Sequence, residues 1–172
     1  MKILLVMPGR GQIICDNPKG FRSLLPPSPL LEVAGMTSRE EHEVRIWDEL
    51  AQGQISAETL DWAEIVGISG LSTSHFGALR VAELARSRNK KVIGGGMHVT
   101  GLYQEKGGTR TLAECYDAIV VGRLTSHLWS QLLWDAEDNR LSRVYQADHS
   151  DSWEFVVPRH DLVDFKHYYF PA

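Results

Sequence analysis

The chain is poor in cysteine. It has two, Cys15 and Cys115, one hundred positions apart. Two such thiols cannot assemble an iron–sulfur cluster, which needs a closely spaced set, and they give no disulfide framework. A reducing, cytoplasmic setting is expected. Long apolar runs are also missing. The opening run Lys2–Met7 is too short for the apolar part of a signal peptide or for a membrane span, so no membrane partner is expected. Basic excess is absent too. The net charge is −4 and the lysines and arginines are scattered apart from Lys90 and Lys91, which argues against a nucleic-acid partner. No internal repeat and no low-complexity tract occurs. What remains is a chain of 172 residues, 43% hydrophobic and 23% charged, enough for one packed domain and a tail.

Short apolar runs alternate with helical stretches, which predicts a parallel sheet covered on both faces. The strands are expected at Ile3–Met7, Glu43–Trp47, Ile65–Ser69, Lys91–Ile93 and Asp117–Val121. Helices are expected from Ser28 as N-cap to Ser38, from Ser56 to Trp62, from Ser72 to Arg88, from Thr100 to Tyr116 with a weak point at Gly107-Gly108, and from Ser126 to Glu137. Five β–α units make a doubly wound, five-stranded α/β domain over residues 1–140. Residues 141–172 read as an extension, extended near 153–158 and ending in Phe165, Tyr168, Tyr169 and Phe170.

Ligands in such sheets sit beyond the carboxyl ends of the strands. That rule selects the loops at 8–27, 48–54, 70–75, 94–100 and 122–127. Gly94, Gly95 and Gly96 would let bare backbone lie against a ligand, with a helix N-terminus behind them. Ser69, Gly70, Leu71, Ser72, Thr73 and Ser74 are dense in hydroxyls, and Ser72 or Thr73 can serve as a helix cap, a ligand contact or both. The stretch Gly67–Leu71 falls one glycine short of a nucleophile elbow. Gly9-Arg10-Gly11 lacks the third glycine and the well-spaced acid of a dinucleotide site. Phosphoacceptor chemistry would need acids at strand ends occupied by Met7 and Ser69. His75, His98 and His127 share the ligand-side edge, but no paired spacing marks a metal site. No catalytic residue set and no protein metal site is assigned.

These segments, taken in order, resemble the N-terminal cobalamin-binding domain of cobalamin-dependent radical-SAM enzymes, a group containing methyltransferases and cyclases. The resemblance rests on Lys2–Val6, Pro26–Leu31, Glu43 to Asp48, Ile65–Ser69, Val92–Thr100 and Asp117–Gly122. It implies a flavodoxin-like fold and a cobalamin module that supports methyl-transfer or radical chemistry carried out by another domain or subunit. The wider cobalamin fold carries Ser-x-Leu and Gly-Gly motifs, met here by Ser69-Gly70-Leu71 and Gly94–Gly96. Its Asp-x-His-x-x-Gly motif is absent, which implies a base-off cofactor with no protein histidine on cobalt. The implied contacts are Pro8, Gly9, Ser69, Leu71, Ser72, Thr73, Gly94, Gly95, Gly96, His98, Gly122, Arg123 and Thr125. The chain departs from the family at Gly122-Arg123-Leu124-Thr125, where acids are usual. Residues 157–172 resemble the lead-in to a radical-SAM domain, the expected partner. The alternative is a cofactor-free interaction subunit, forming homo- or hetero-oligomers through the C-terminal aromatics.

Overall fold

The computed structural model describes residues 1–10, 25–105, 108–146 and 154–168. Six strands form one sheet in the order β2-β1-β3-β4-β5-β6, with every pairing parallel. They are β1 (Lys2–Met7), β2 (Glu43–Asp48), β3 (Ile65–Ser69), β4 (Lys91–Gly95), β5 (Ala118–Val121) and β6 (Val144–Gln146). The first five follow the flavodoxin-like order. The sixth strand was not expected. Val144–Gln146 is only three residues long, and it pairs with β5 within the stretch read as an extension.

Burial explains which strands are central. Residues 3–6 of β1 and 65–68 of β3 are all buried, as strands covered on both faces must be. At the edge, β2 alternates, with Val44 and Ile46 inward and Arg45 outward. One face of the sheet carries α1 (Ser28–Met36) and α7 (Ser126–Glu137) over Ile3, Leu5, Ile65 and Val120. The other carries α3 (Ala57–Asp61), α4 (His75–Arg86), α5 (Gly96–Gln104) and α6 (Gly108–Cys115) over Leu4, Val6, Val66 and Val92. A single turn, α2 (Glu49–Gln52), follows β2.

Several boundaries differ from the sequence expectation. Pro27, not Ser28, is the N-cap of α1, and no side chain caps it. The helix expected from Ser72 is a 3-10 turn over Ser72–Ser74 followed by α4, and neither Ser72 nor Thr73 caps it. Strand β4 runs on through Gly94 and Gly95 because both pair with β3. Helix α5 therefore starts at Gly96 rather than Thr100. Ser56 does cap α3, accepting the Thr59 N–H at 3.2 Å.

Two contacts fix the chain around the first strand. Glu49 is 7% exposed. Its carboxylate accepts the N–H groups of Gly9 and Ile55, each at 2.8 Å, and pairs with Arg80 of α4. That holds Gly9 against α4, where a Cβ on Gly77 would lie 2.0 Å from the Gly9 carbonyl oxygen. Near the other end of the chain, Tyr168 donates to the buried Asp48 at 3.3 Å. Burial pushes the Asp48 carboxyl above its ordinary value, and the Leu50 N–H and the Tyr168 hydroxyl pull it back. Asp48 also caps α2 through the Leu50 N–H at 2.9 Å.

The glycines make a paired prediction. Gly77→Ala has nowhere to put its methyl group and should lose about 1–3 kcal/mol of stability. Gly101→Ala, on α5 with open space around it, should gain about 0.5–1 kcal/mol. Urea unfolding of both variants measures the contrast, and equal effects would refute it.

Candidate functional site

A cavity of about 680 Å³ opens at the carboxyl ends of the central strands, on the face covered by α1 and α7. Its lining includes Gly67 and Ser69 of β3, Gly94 and Gly95 of β4, and Val120 of β5. Gly96, Gly122 and Arg123 complete the strand-end side. Helix α1 supplies Leu30, Val33 and Met36, and Trp129 comes from α7. Residues 154–156 and Pro158 close the remaining side.

The local fold explains why the space exists. Along β3 and β4 the side facing α1 reads Ile65, Gly67, Ser69 and Ile93, Gly95, so bulk is lost towards the carboxyl end. The three consecutive glycines answer three separate constraints. A Cβ on Gly94 would lie 2.8 Å from the Tyr116 ring, on the sheet's opposite face. A Cβ on Gly95 would meet only Val120, at 3.8 Å. Gly96 has φ of +85°, which only glycine takes cheaply, and a Cβ there would lie 2.5 Å from the Ser69 hydroxyl. That hydroxyl makes no hydrogen bond among the described residues. Hydrogen bonds tie the helical wall together. The Trp129 indole N–H donates to Thr37 at 2.8 Å, and Thr37 donates to the Val33 carbonyl at 2.8 Å, with Trp129 and Thr37 both buried.

The residues singled out from sequence divide in two. Ser69, Gly94, Gly95, Gly96, Gly122 and Arg123 line the cavity together. Pro8, Gly9, Leu71, Ser72, Thr73, His98 and Thr125 do not. Pro8 packs under Gly70, and Gly9 is held by Glu49. Leu71 is exposed. Thr125 is buried and caps α7, accepting the Leu128 N–H at 3.2 Å. The near-fingerprint from Gly11 onward lies outside the described residues. Sequence reasoning missed the walls: Leu30, Val33, Met36, Trp129 and the segment from Glu154 to Pro158. The extended reading near 153–158 was the one available signal, since nothing in a linear pattern says which helix faces a gap.

Beyond the cavity, His75 and His98 do meet. Their Nδ1 and Nε2 atoms are 2.7 Å apart, and the other nitrogen of His98 lies 3.3 Å from the Ser72 hydroxyl. His127 is exposed. Among the described residues no group of three or more His, Cys, Asp or Glu side chains could hold a metal ion, and no helix is long and apolar enough to cross a membrane.

The strand order defines a doubly wound, flavodoxin-like domain with a cavity at the strand ends. Its relatives are named methyltransferases. The chain is 33% identical over 129 residues to an uncharacterised methyltransferase of Pyrococcus horikoshii, covering 71% of this chain and 27% of that protein. It is 28% identical over 149 residues to an uncharacterised methyltransferase of Synechocystis sp., covering 87% and 26%. It is 31% identical over 118 residues to the bacteriochlorophyllide d C-8(2)-methyltransferase of Chlorobaculum tepidum, covering 69% and 24%. The aligned stretch is thus about a quarter of each relative's length. No family model matches the chain, and no solved structure does so significantly.

The histidine pair yields a titration prediction. Burial lowers the pKa of His98 from its ordinary 6.5, and a charge on His75 lowers it further. Histidine NMR should therefore show His98 titrating below 6.5. His75→Gln should raise that midpoint without restoring it fully, because burial is the larger cause. A midpoint unmoved by His75→Gln would refute the coupling.

Proposed function

We propose that this chain is a cobalamin-binding module whose methyl-transfer chemistry is completed by a further domain or subunit. The observation that carries the reading is the cavity at the ends of β3, β4 and β5, walled on the sheet side by backbone at Gly95 and by the Leu5 side chain beside Gly67. Flat aromatic groups need close approach of main chain on one side and apolar cover on the other. Leu30, Val33 and Trp129 offer that cover. The volume falls within the roughly 300–1,000 Å³ usual for small-molecule and cofactor sites.

In this reading the residues fit the slender nucleotide tail of a base-off cobalamin. Gly95 would lie against it, Ser69 would offer a hydroxyl at the strand end, and Arg123 would bring positive charge to the same rim for a phosphate. When bound, the corrinoid supplies a cobalt centre able to accept and pass on a methyl group. The chain itself contributes binding, orientation and exclusion of water from the tail. The named relatives support the methyl-transfer part, since each is called a methyltransferase and extends well beyond the stretch aligned here. The radical-SAM assignment of the further domain rests on the sequence resemblance.

A cofactor-free interaction role through the C-terminal aromatics has weaker support. Tyr168 is 5% exposed and directed at Asp48 in its own chain. Phe165 is 43% exposed, and Tyr169 and Phe170 lie outside the described residues.

Mixing the protein with hydroxocobalamin and gel-filtering it should give a coloured protein peak with about one corrinoid per chain. Gly95→Leu projects its side chain into the slot without a backbone clash, because φ there is −156° and Val120 is the nearest neighbour. That variant should keep its fold by circular dichroism and lose affinity at least about tenfold, roughly 1.4 kcal/mol. Colourless wild-type protein would end the cofactor reading.

A further inference from the structure

We propose that residues 154–158 are a clasp belonging to the ligand site: seated in a notch at Gly35, they form one wall of the cavity and hold Phe155 at its mouth to cover the bound molecule. This rests on the cavity being a ligand site, but not on the ligand being cobalamin.

The segment is fastened at both ends and in the middle. At its start the Glu154 carboxylate accepts the N–H of Ser126, at the first turn of α7, at 2.5 Å. A carboxylate there is also favoured by the positive end of that helix. In the middle it crosses α1 at Gly35. A Cβ on Gly35 would lie 2.4 Å from the Val157 carbonyl oxygen and 2.8 Å from a methyl group of Val156. The notch therefore admits the segment only because the helix carries no side chain at that point. Just beyond it, the Arg159 N–H donates to the Leu31 carbonyl at 3.1 Å. Leu31 lies one helical turn from Gly35, so the two contacts place the segment along one side of α1.

Between these fastenings Phe155 and Val156 border the cavity. Phe155 leaves 91% of its surface in solvent. A large aromatic held by flanking contacts and left bare beside an apolar cavity gains burial once something fills that cavity. The same coupling runs in reverse. A ligand that touches the clasp stabilises its seated state by the difference in its affinity for seated and released forms. Gly35 is thus a positioning residue, acting through the segment it seats.

Two variants and one probe test this. The probe is 8-anilinonaphthalene-1-sulfonate, a flat apolar anion suited to the cavity, followed by its fluorescence. Gly35→Val should expel the clasp, raising hydrogen exchange at the Arg159 amide at least tenfold and weakening the dye at least tenfold. Phe155→Ala changes an exposed side chain, so folding is safe. It should weaken the dye about threefold while Arg159 exchange stays as in wild type. Gly101→Ala is the control and should match wild type in both readouts. Clasp release with unchanged dye affinity, wild-type affinity in Phe155→Ala, or a wild-type protein that does not take up the dye would each overturn the proposal. Hydroxocobalamin is titrated alongside. A protein that binds the dye through its clasp yet ignores hydroxocobalamin keeps this inference and loses the cofactor reading.

Discussion

Pairing between β3 and β4 carries the rest of the molecule. Ile68 is opposite Gly94 and Ser69 opposite Gly95, so the parallel ladder continues into a stretch with almost no side chains. A sheet normally sheds its ladder where bulk runs out, because strands gain from side-chain pairs as well as hydrogen bonds. Here the hydrogen bonds persist and the bulk does not. The result is a sheet edge that is ordered and hollow at once. Helix α5 then leaves from Gly96 without an intervening loop, which fixes the exit direction of β4. The Trp129 indole N–H ties α7 to Thr37, the C-cap of α1, beside that gap.

The central strands and the five-unit winding were legible because fully apolar runs such as Ile65–Ile68 have one economical fate, burial on both faces. The glycine triplet was legible as a place of close approach, Ser69 was read from its strand-end loop, and Gly122 and Arg123 entered through the resemblance; all of them line the cavity. Boundaries were harder. The end of β4 is set by what β3 offers across the ladder, which no local pattern records. Strand β6 was hidden for the same reason: three residues carry little periodicity, and Val144–Gln146 became a strand because β5 presented a free edge. Thr125, which the resemblance placed among the ligand contacts, is buried and accepts the Leu128 N–H in the first turn of α7.

The methyltransferase relatives and the cavity bear on one another in a particular way. Relatives about four times as long as the aligned stretch have room for chemistry elsewhere. Among the described residues the buried Glu49 pairs with the partly exposed Arg80 and holds Gly9, and the two histidines that meet lie away from the cavity. The cavity at the strand ends is lined largely by glycines and apolar side chains.

The separate duties of Gly94, Gly95 and Gly96 change how damage in this stretch should be interpreted. One glycine protects the packing of Tyr116 on the far side of the sheet, one leaves the slot clear, and one permits the turn. Three adjacent lesions would thus produce a misfolded domain, a folded but blocked one, and a misdirected helix. A family of variants pooled across the triplet would average unlike failures, and only the middle position speaks for what the cavity holds.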